Sequence, residues 1–218
     1  MINIKKDISL KDKNFPFGVA EVSFPPAEMW NEQAFRSLID SEINALKEKH
    51  TDYDRKAVWG ENPYVRFFKK FKKTFPVMLQ FESAVLKDRP FPAFNPVAEV
   101  AFLMEITQGV LSGAHDADCI DGDVTLYLAT EKEDFEGIRE TLHTYPGDFC
   151  ARDSSGIIFS LIAGTDRRTS AKPDSTKVLY PVFAAPDMDT AIILNAFETL
   201  KKYILTLAPG AEIKTYIL

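Results

Sequence analysis

The chain has 218 residues, 45% hydrophobic and 27% charged, which supplies one hydrophobic core and excludes a disordered chain. Its 32 acidic against 26 basic residues leave a net charge of −6, which excludes a general nucleic-acid binder working through surplus Lys and Arg, though not a local basic stripe. No run of about 18 apolar residues occurs, so no membrane span is expected.

The segment at residues 19–24, closed by Pro25-Pro26, predicts a strand. From about Ala27 to His50, residues Trp30, Phe35, Leu38, Ile39, Ile43 and Leu46 recur at helical spacing with charges between them. Asn62-Pro63 opens a short helix over 64–71, and Pro76 begins a third. The Pro90-Phe91-Pro92 break separates that helix from a fourth over 96–107. After Gly113 the texture changes to short β-rich runs at 124–129, 156–162 and 177–184, set off by turn residues such as Asp121-Gly122-Asp123 and Pro173-Asp174-Ser175. An amphipathic helix over about 189–206 and a strand over 212–218 complete the chain. Helices first and strands later predict an α+β fold, as one domain over residues 1–218.

The opening residues MINIKKDISLKDKNF lack an apolar export segment, so a cytoplasmic location is expected, with Cys119 and Cys150 as free thiols. Three His residues without Cys/His spacing predict no metal site, and nothing in the chain calls for a cofactor. A G-x-S-x-G elbow, an H-E-x-x-H helix and a Gly-rich phosphate loop are all missing from the sequence, which removes three common enzyme templates.

Four stretches could carry chemistry. Lys69, Lys70, Lys72 and Lys73 alternate with Phe residues, either as a phosphate-attracting face with rings for unpaired bases or as an ordinary solvated face over core rings. His115 and Asp116 in Gly113-Ala114-His115-Asp116-Ala117-Asp118 could orient water or a ligand amine, or serve only to fix a turn. Gly164, Asp166, Arg167, Arg168 and Thr169 follow an apolar run, as an anion-binding strand exit or a surface hairpin with a local ion pair. Gln80, Glu82, Asn95 and Glu99 would be solvent-facing unless their helices pack against a cavity mouth.

Together these stretches resemble the B3/B4 editing domain of the phenylalanyl-tRNA synthetase beta subunit. Residues Phe91-Pro92-Ala93-Phe94-Asn95-Pro96-Val97-Ala98-Glu99 resemble the P-x-x-N-x-x-x-[DE] segment of that domain. His115 to Val124 resembles its H-D-x-D-x-I-x-G-x-[IV] block, Gly147-Asp148, Asp153 and Gly156 fit the strand pair that follows, and Gly164 to Thr169 with Ser175-Thr176-Lys177 resembles the segment ahead of the last barrel strand. The likeness spans residues 55–185 or so, in order. It implies a small antiparallel β-barrel wrapped by helices, and a partner in tRNA or the aminoacyl-tRNA 3′ end. If the protein is an enzyme, the resemblance implies a deacylase of mischarged aminoacyl-tRNA acting in trans, not a full synthetase. The alternatives are a non-catalytic tRNA-binding module, or a barrel reused for a free amino acid or small metabolite.

Under the editing reading, His115, Asp116 and Asn95 line the amino-acid pocket. Glu82, Glu99, Gly164, Asp166, Arg167, Arg168 and Thr169 hold the substrate, and Lys69, Lys70, Lys72 and Lys73 steer the tRNA. Two departures stand out. Gly113 occupies the place of a His in synthetase beta subunits, and Tyr180-Pro181 occupies the place of a Glu, so specificity for tyrosine does not carry over.

Overall fold

A computed structural model describes residues 2–218 except 88, 94 and 187. In chain order its strands are β1 (Ile4–Lys6), β2 (Phe17–Ser23), β3 (Leu111–Ser112), β4 (His115–Asp116), β5 (Val124–Leu128), β6 (Asp134–Glu136), β7 (Thr141–His143), β8 (Phe149–Asp153), β9 (Gly156–Ser160), β10 (Gly164–Thr165), β11 (Lys177–Phe183) and β12 (Glu212–Ile217). The helices are α1 (Glu32–Lys49), α2 (Arg55–Trp59), α3 (Pro63–Lys70), α4 (Pro76–Phe81), which runs on into a wider π-type turn at Glu82–Leu86, α5 (Pro96–Gln108) and α6 (Ala191–Leu207).

One sheet has the order β1-β5-β8-β9-β10, with β1 parallel to β5 and the other pairs antiparallel. The other has the order β12-β2-β11-β3, with β4 also on β11, and is antiparallel throughout. A separate ribbon joins β6 and β7.

Strand alternation explains the layering. Along β2 and β11, Phe17, Val19, Leu179 and Phe183 turn toward the first sheet, while Ala20, Val22, Val178, Tyr180 and Val182 turn toward the helices. Side chains on a strand alternate between faces, so a sheet buried on both sides reads as a nearly continuous apolar run. On the helical side α1, α5 and α6 cover the sheet. The approach of α6 is close: a Cβ on Gly18 would lie 2.5 Å from Ile193 Cγ2 and 2.7 Å from Phe197 Cζ, so only glycine fits there. Between the sheets the space is filled by rings, with Phe17 and Phe183 centred 5.4 Å apart and Phe159 and Phe183 4.7 Å apart. Trp59, Tyr64, Phe67, Phe68 and Phe75 from α2, α3 and the start of α4 extend the same cluster. Most of the 17 Phe residues thus have a packing role, and the aromatic side of the Lys-rich helix is core.

The α+β class holds, but the implied barrel is not what the strands form. Among the described residues neither sheet closes on the other: β10 ends one sheet and β3 lies at an edge of the other, with no pairing between them. The fold is therefore an open two-sheet stack with a seam between β10 and β3. The expected helix over 27–50 begins later, at Glu32, because Asn31 accepts the Ala34 N–H (3.0 Å) and the Pro25-Pro26 entry leads into a 3-10 turn at Ala27–Met29. Helix α5 starts where expected, with Asn95 as its cap and Pro96 in its first turn, and stops at Gly109 in the left-handed region (φ 66°). Phe94, part of the quoted resemblance, lies outside the described residues. Cys119 and Cys150 are free, and no helix among the described residues is long and apolar enough to cross a membrane.

Candidate functional site

The seam between the two sheets is hollow. A cavity of about 360 Å³ is lined by Leu111, Ser112 and Gly113 from the β3 edge, Gly164 and Thr165 of β10, and His115 of β4. Phe68, Phe159 and Phe183 complete its apolar side, and Lys73, Thr74, Gln80 and Glu105 its helical side. The volume lies in the range of small-ligand pockets. The far wall, residues 160–163, is set by a buried carboxylate. Asp148 accepts a hydrogen bond from the Ser160 hydroxyl and another from the Ile162 N–H (3.2 Å), while Ser160 Oγ accepts the Ala163 N–H (2.8 Å).

His115 is 2% exposed and is held from behind. The Thr169 hydroxyl donates to Asp166 Oδ1, so its oxygen is free to accept, and His115 Nδ1 lies 2.8 Å from it. The imidazole is then protonated on Nδ1, and Nε2 carries a bare lone pair. Among the described residues Nε2 has no hydrogen-bond partner. Burial pushes the pKa of His115 down to about 4, so the ring is neutral at pH 7 and acts as a hydrogen-bond acceptor. Burial raises the pKa of Asp166, and its hydrogen bonds from Thr169 oppose that rise.

Gly113 gives the cavity its working space. The point where a Cβ on Gly113 would sit is 3.4 Å from His115 Nε2 and 3.6 Å from Thr165 Oγ1. An acceptor and a hydroxyl donor therefore flank Gly113 on the cavity side, left uncovered because residue 113 has no side chain. This is the position at which the sequence departs from the synthetase pattern.

Glu105 was not singled out from the sequence, although a lone carboxylate inside the apolar run Ala101 to Ile106 is a visible signal. It is 8% exposed, and Oε1 accepts the Ser112 N–H at 2.7 Å. Burial raises its pKa to about 8, opposed only by that one hydrogen bond, so it holds a proton at neutral pH.

Of the residues expected to form the site, His115, Gly164 and Lys73 line the cavity, and Asp166 and Thr169 stand behind His115. The others have partners of their own. Asn95 caps α5 through the Val97 N–H (3.1 Å) and donates from Nδ2 to the Ala171 carbonyl (2.8 Å). Asp116 caps the 3-10 turn at Ala117–Cys119 and accepts the Ser175 hydroxyl at 2.7 Å. Glu82 accepts from Tyr53 OH (2.7 Å) and Arg55 Nε (2.6 Å), and Arg55 holds its pKa below the usual carboxylate value. Glu99 accepts the Asn95 N–H and pairs with Arg36 across α1 and α5. Arg168 donates from Nη2 to both Asp153 oxygens, each at 2.9 Å, and from Nη1 to the Cys119 carbonyl at 2.6 Å. Arg167 is exposed and donates to the Ile138 carbonyl at 3.2 Å. Asn95, His115 and Arg167 thus do not converge on one hollow; neighbouring loops use two of them for anchoring. Lys69, Lys70, Lys72 and Lys73 are all exposed. Arg55, Lys56, Lys69 and Lys73 line a groove of about 530 Å³ that shares Lys73 and Thr74 with the cavity.

Among solved structures, the chain is similar to an N-terminal fragment of the phenylalanyl-tRNA synthetase beta subunit from Pyrococcus horikoshii, with a TM-score of 0.50 and 11% identity. The match covers 97% of this chain and 50% of that one, so the chain spans half the length of the fragment. At that identity the likeness is one of fold. No family model and no curated protein matches the sequence.

Proposed function

We propose that this protein binds the 3′ end of aminoacyl-tRNA and hydrolyses mischarged amino acids from it in trans. The observation that carries the reading is that His115 Nε2 and Thr165 Oγ1 lie together beside the side-chain-free Gly113, inside a cavity of amino-acid size. The ester linking an amino acid to tRNA is already activated, so a site that positions one water needs no strong nucleophile. His115 accepts a hydrogen bond from that water through Nε2, and the Asp166–Thr169 pair fixes the tautomer that makes this possible. Thr165 donates to the water or to the ester carbonyl. A histidine at 113 would fill this space, so the departure from the synthetase pattern moves the imidazole two residues along the chain and leaves room for the reactants. The basic groove that shares Lys73 with the cavity gives the phosphates of the acceptor end a path to it. The likeness in fold to a tRNA synthetase fragment supports the same partner.

Neither the barrel nor Arg167 and Arg168 is needed for this reading. The test is a deacylation screen of the purified protein against a panel of mischarged tRNAs. Release of one or a few amino acids well above the buffer rate is the expected result. Salt-dependent tRNA binding with no release would leave a binding module, and indifference to every tRNA would overturn the proposal.

A further inference from the structure

The cavity has a second polar group that the water-positioning reading does not use. Glu105, from the last turn of α5, commits one oxygen to the Ser112 N–H, and its Oε2 has no partner among the described residues. Gln80, from α4, lines the same cavity, and its Oε1 is buried without a partner among the described residues. At neutral pH Glu105 Oε2 carries the acid proton and Gln80 Oε1 is an unanswered acceptor, so a ligand that brings donors satisfies Gln80 at once and Glu105 when it ionises. The last turn of α5 contains no basic residue, and the negative end of a helix favours a cation there.

We infer that Glu105 and Gln80 receive the α-ammonium group of an amino acid whose hydrocarbon side chain lies on Phe159 and Phe183. The inference rests on the cavity being the amino-acid site of the proposed function, and it adds which chemical group is read and by what. An ammonium group brings three donors, enough for Glu105, Gln80 and one further acceptor. The surrounding titratable groups leave this role open. Tyr64 of α3 spends its hydroxyl on the Phe183 carbonyl, Lys73 is exposed with its Nζ 5.3 Å from the centre of the Tyr145 ring, and His115 is neutral. Because burial keeps Glu105 protonated near pH 7, an arriving ammonium converts it to a carboxylate. Binding therefore releases a proton.

The experiment is calorimetric titration at pH 7 with two amides, L-phenylalaninamide and 3-phenylpropanamide, which differ by the ammonium group. Titrations in phosphate and in Tris report the protons released. The wild-type protein is expected to bind the amine about tenfold or more tightly and to release up to one proton. Glu105→Gln, which keeps an acceptor for the Ser112 N–H, should lose both the preference and the proton. Equal affinity for the two amides, no binding of either up to about 10 mM, or full preference retained in Glu105→Gln would overturn the inference. A mischarged-tRNA deacylation assay on the same protein separates the two readings. Deacylation without amine preference removes only the ammonium receptor, and amine preference without deacylation removes only the hydrolase.

Discussion

Replacing Gly113 with Ala separates folding from function more cleanly than any other change at the seam. The new methyl group would sit 3.4 Å from His115 Nε2 and 3.6 Å from Thr165 Oγ1, which is ordinary contact, and Gly113 is not among the glycines with positive φ. The fold therefore accommodates it, and reduced freedom of the unfolded chain favours the variant by about 0.4–1 kcal/mol. The methyl group nevertheless intrudes on the space beside the two side chains and crowds out a water that would bridge them. Two neutral hydrogen bonds to that water, at about 0.5–1.5 kcal/mol each, are lost from the reacting arrangement, a rate decrease of about tenfold to a hundredfold. Single-turnover deacylation, with urea unfolding of the same preparation, measures both quantities. A variant that is as stable as the wild type and as fast refutes a water bridging these two side chains.

Thr169→Val removes the hydroxyl that joins Asp166 to His115 Nδ1; with a buried N–H left unanswered, we expect about 1–3 kcal/mol lost in urea unfolding and slower deacylation as the tautomer becomes unfixed. The folded pKa of Glu105, about 8, exceeds its ordinary 4.5, so the folded state holds a proton that the unfolded chain has lost, and this contribution to stability declines as pH rises through 8. Between pH 6.5 and 8, above the range in which His115 titrates, the loss amounts to about 2 kcal/mol; Glu105→Gln should flatten it, and identical pH profiles of the two proteins in urea unfolding would count against the buried-acid assignment. Arg168→Ala should destabilise the fold by about 1–3 kcal/mol, discounted because Arg168 is open to water on one side, and should leave tRNA affinity nearly unchanged, since its terminal nitrogens are spent on buried Asp153 and the Cys119 carbonyl. A large loss in filter binding with unaltered stability would return Arg168 to the nucleic-acid interface.

Helices α5 and α6 and the strands of the main ladder were legible because they satisfy local rules. Asn95-Pro96 and Gly109 mark the ends of α5, and the apolar runs of β2 and β11 are those of strands buried on both faces. The short pieces were not legible. β3, β4 and β10 have two residues each, and pairing with β11 or β9 fixes them rather than any propensity of their own. The seam depends on those pieces, so the sequence could offer His115 and Gly164 as candidates but not the cavity that joins them. Asp116, Arg168 and Glu82 attracted attention for the same reason that they turn out to be structural. Polar groups at turns and in buried positions are needed as caps and ion pairs, and sequence alone does not distinguish a satisfied carboxylate from a waiting one. Glu105 is the reverse case, a charge hidden in an apolar helix that reads as a helical residue until the Ser112 edge is placed beside it.

The account rests on His115 presenting a lone pair to a water beside an activated ester. Single-turnover release of an amino acid from the mischarged tRNA that the wild-type protein prefers, compared with His115→Ala, tests this most directly. We expect a decrease of about a hundredfold with tRNA affinity retained; equal rates for the two proteins would contradict it.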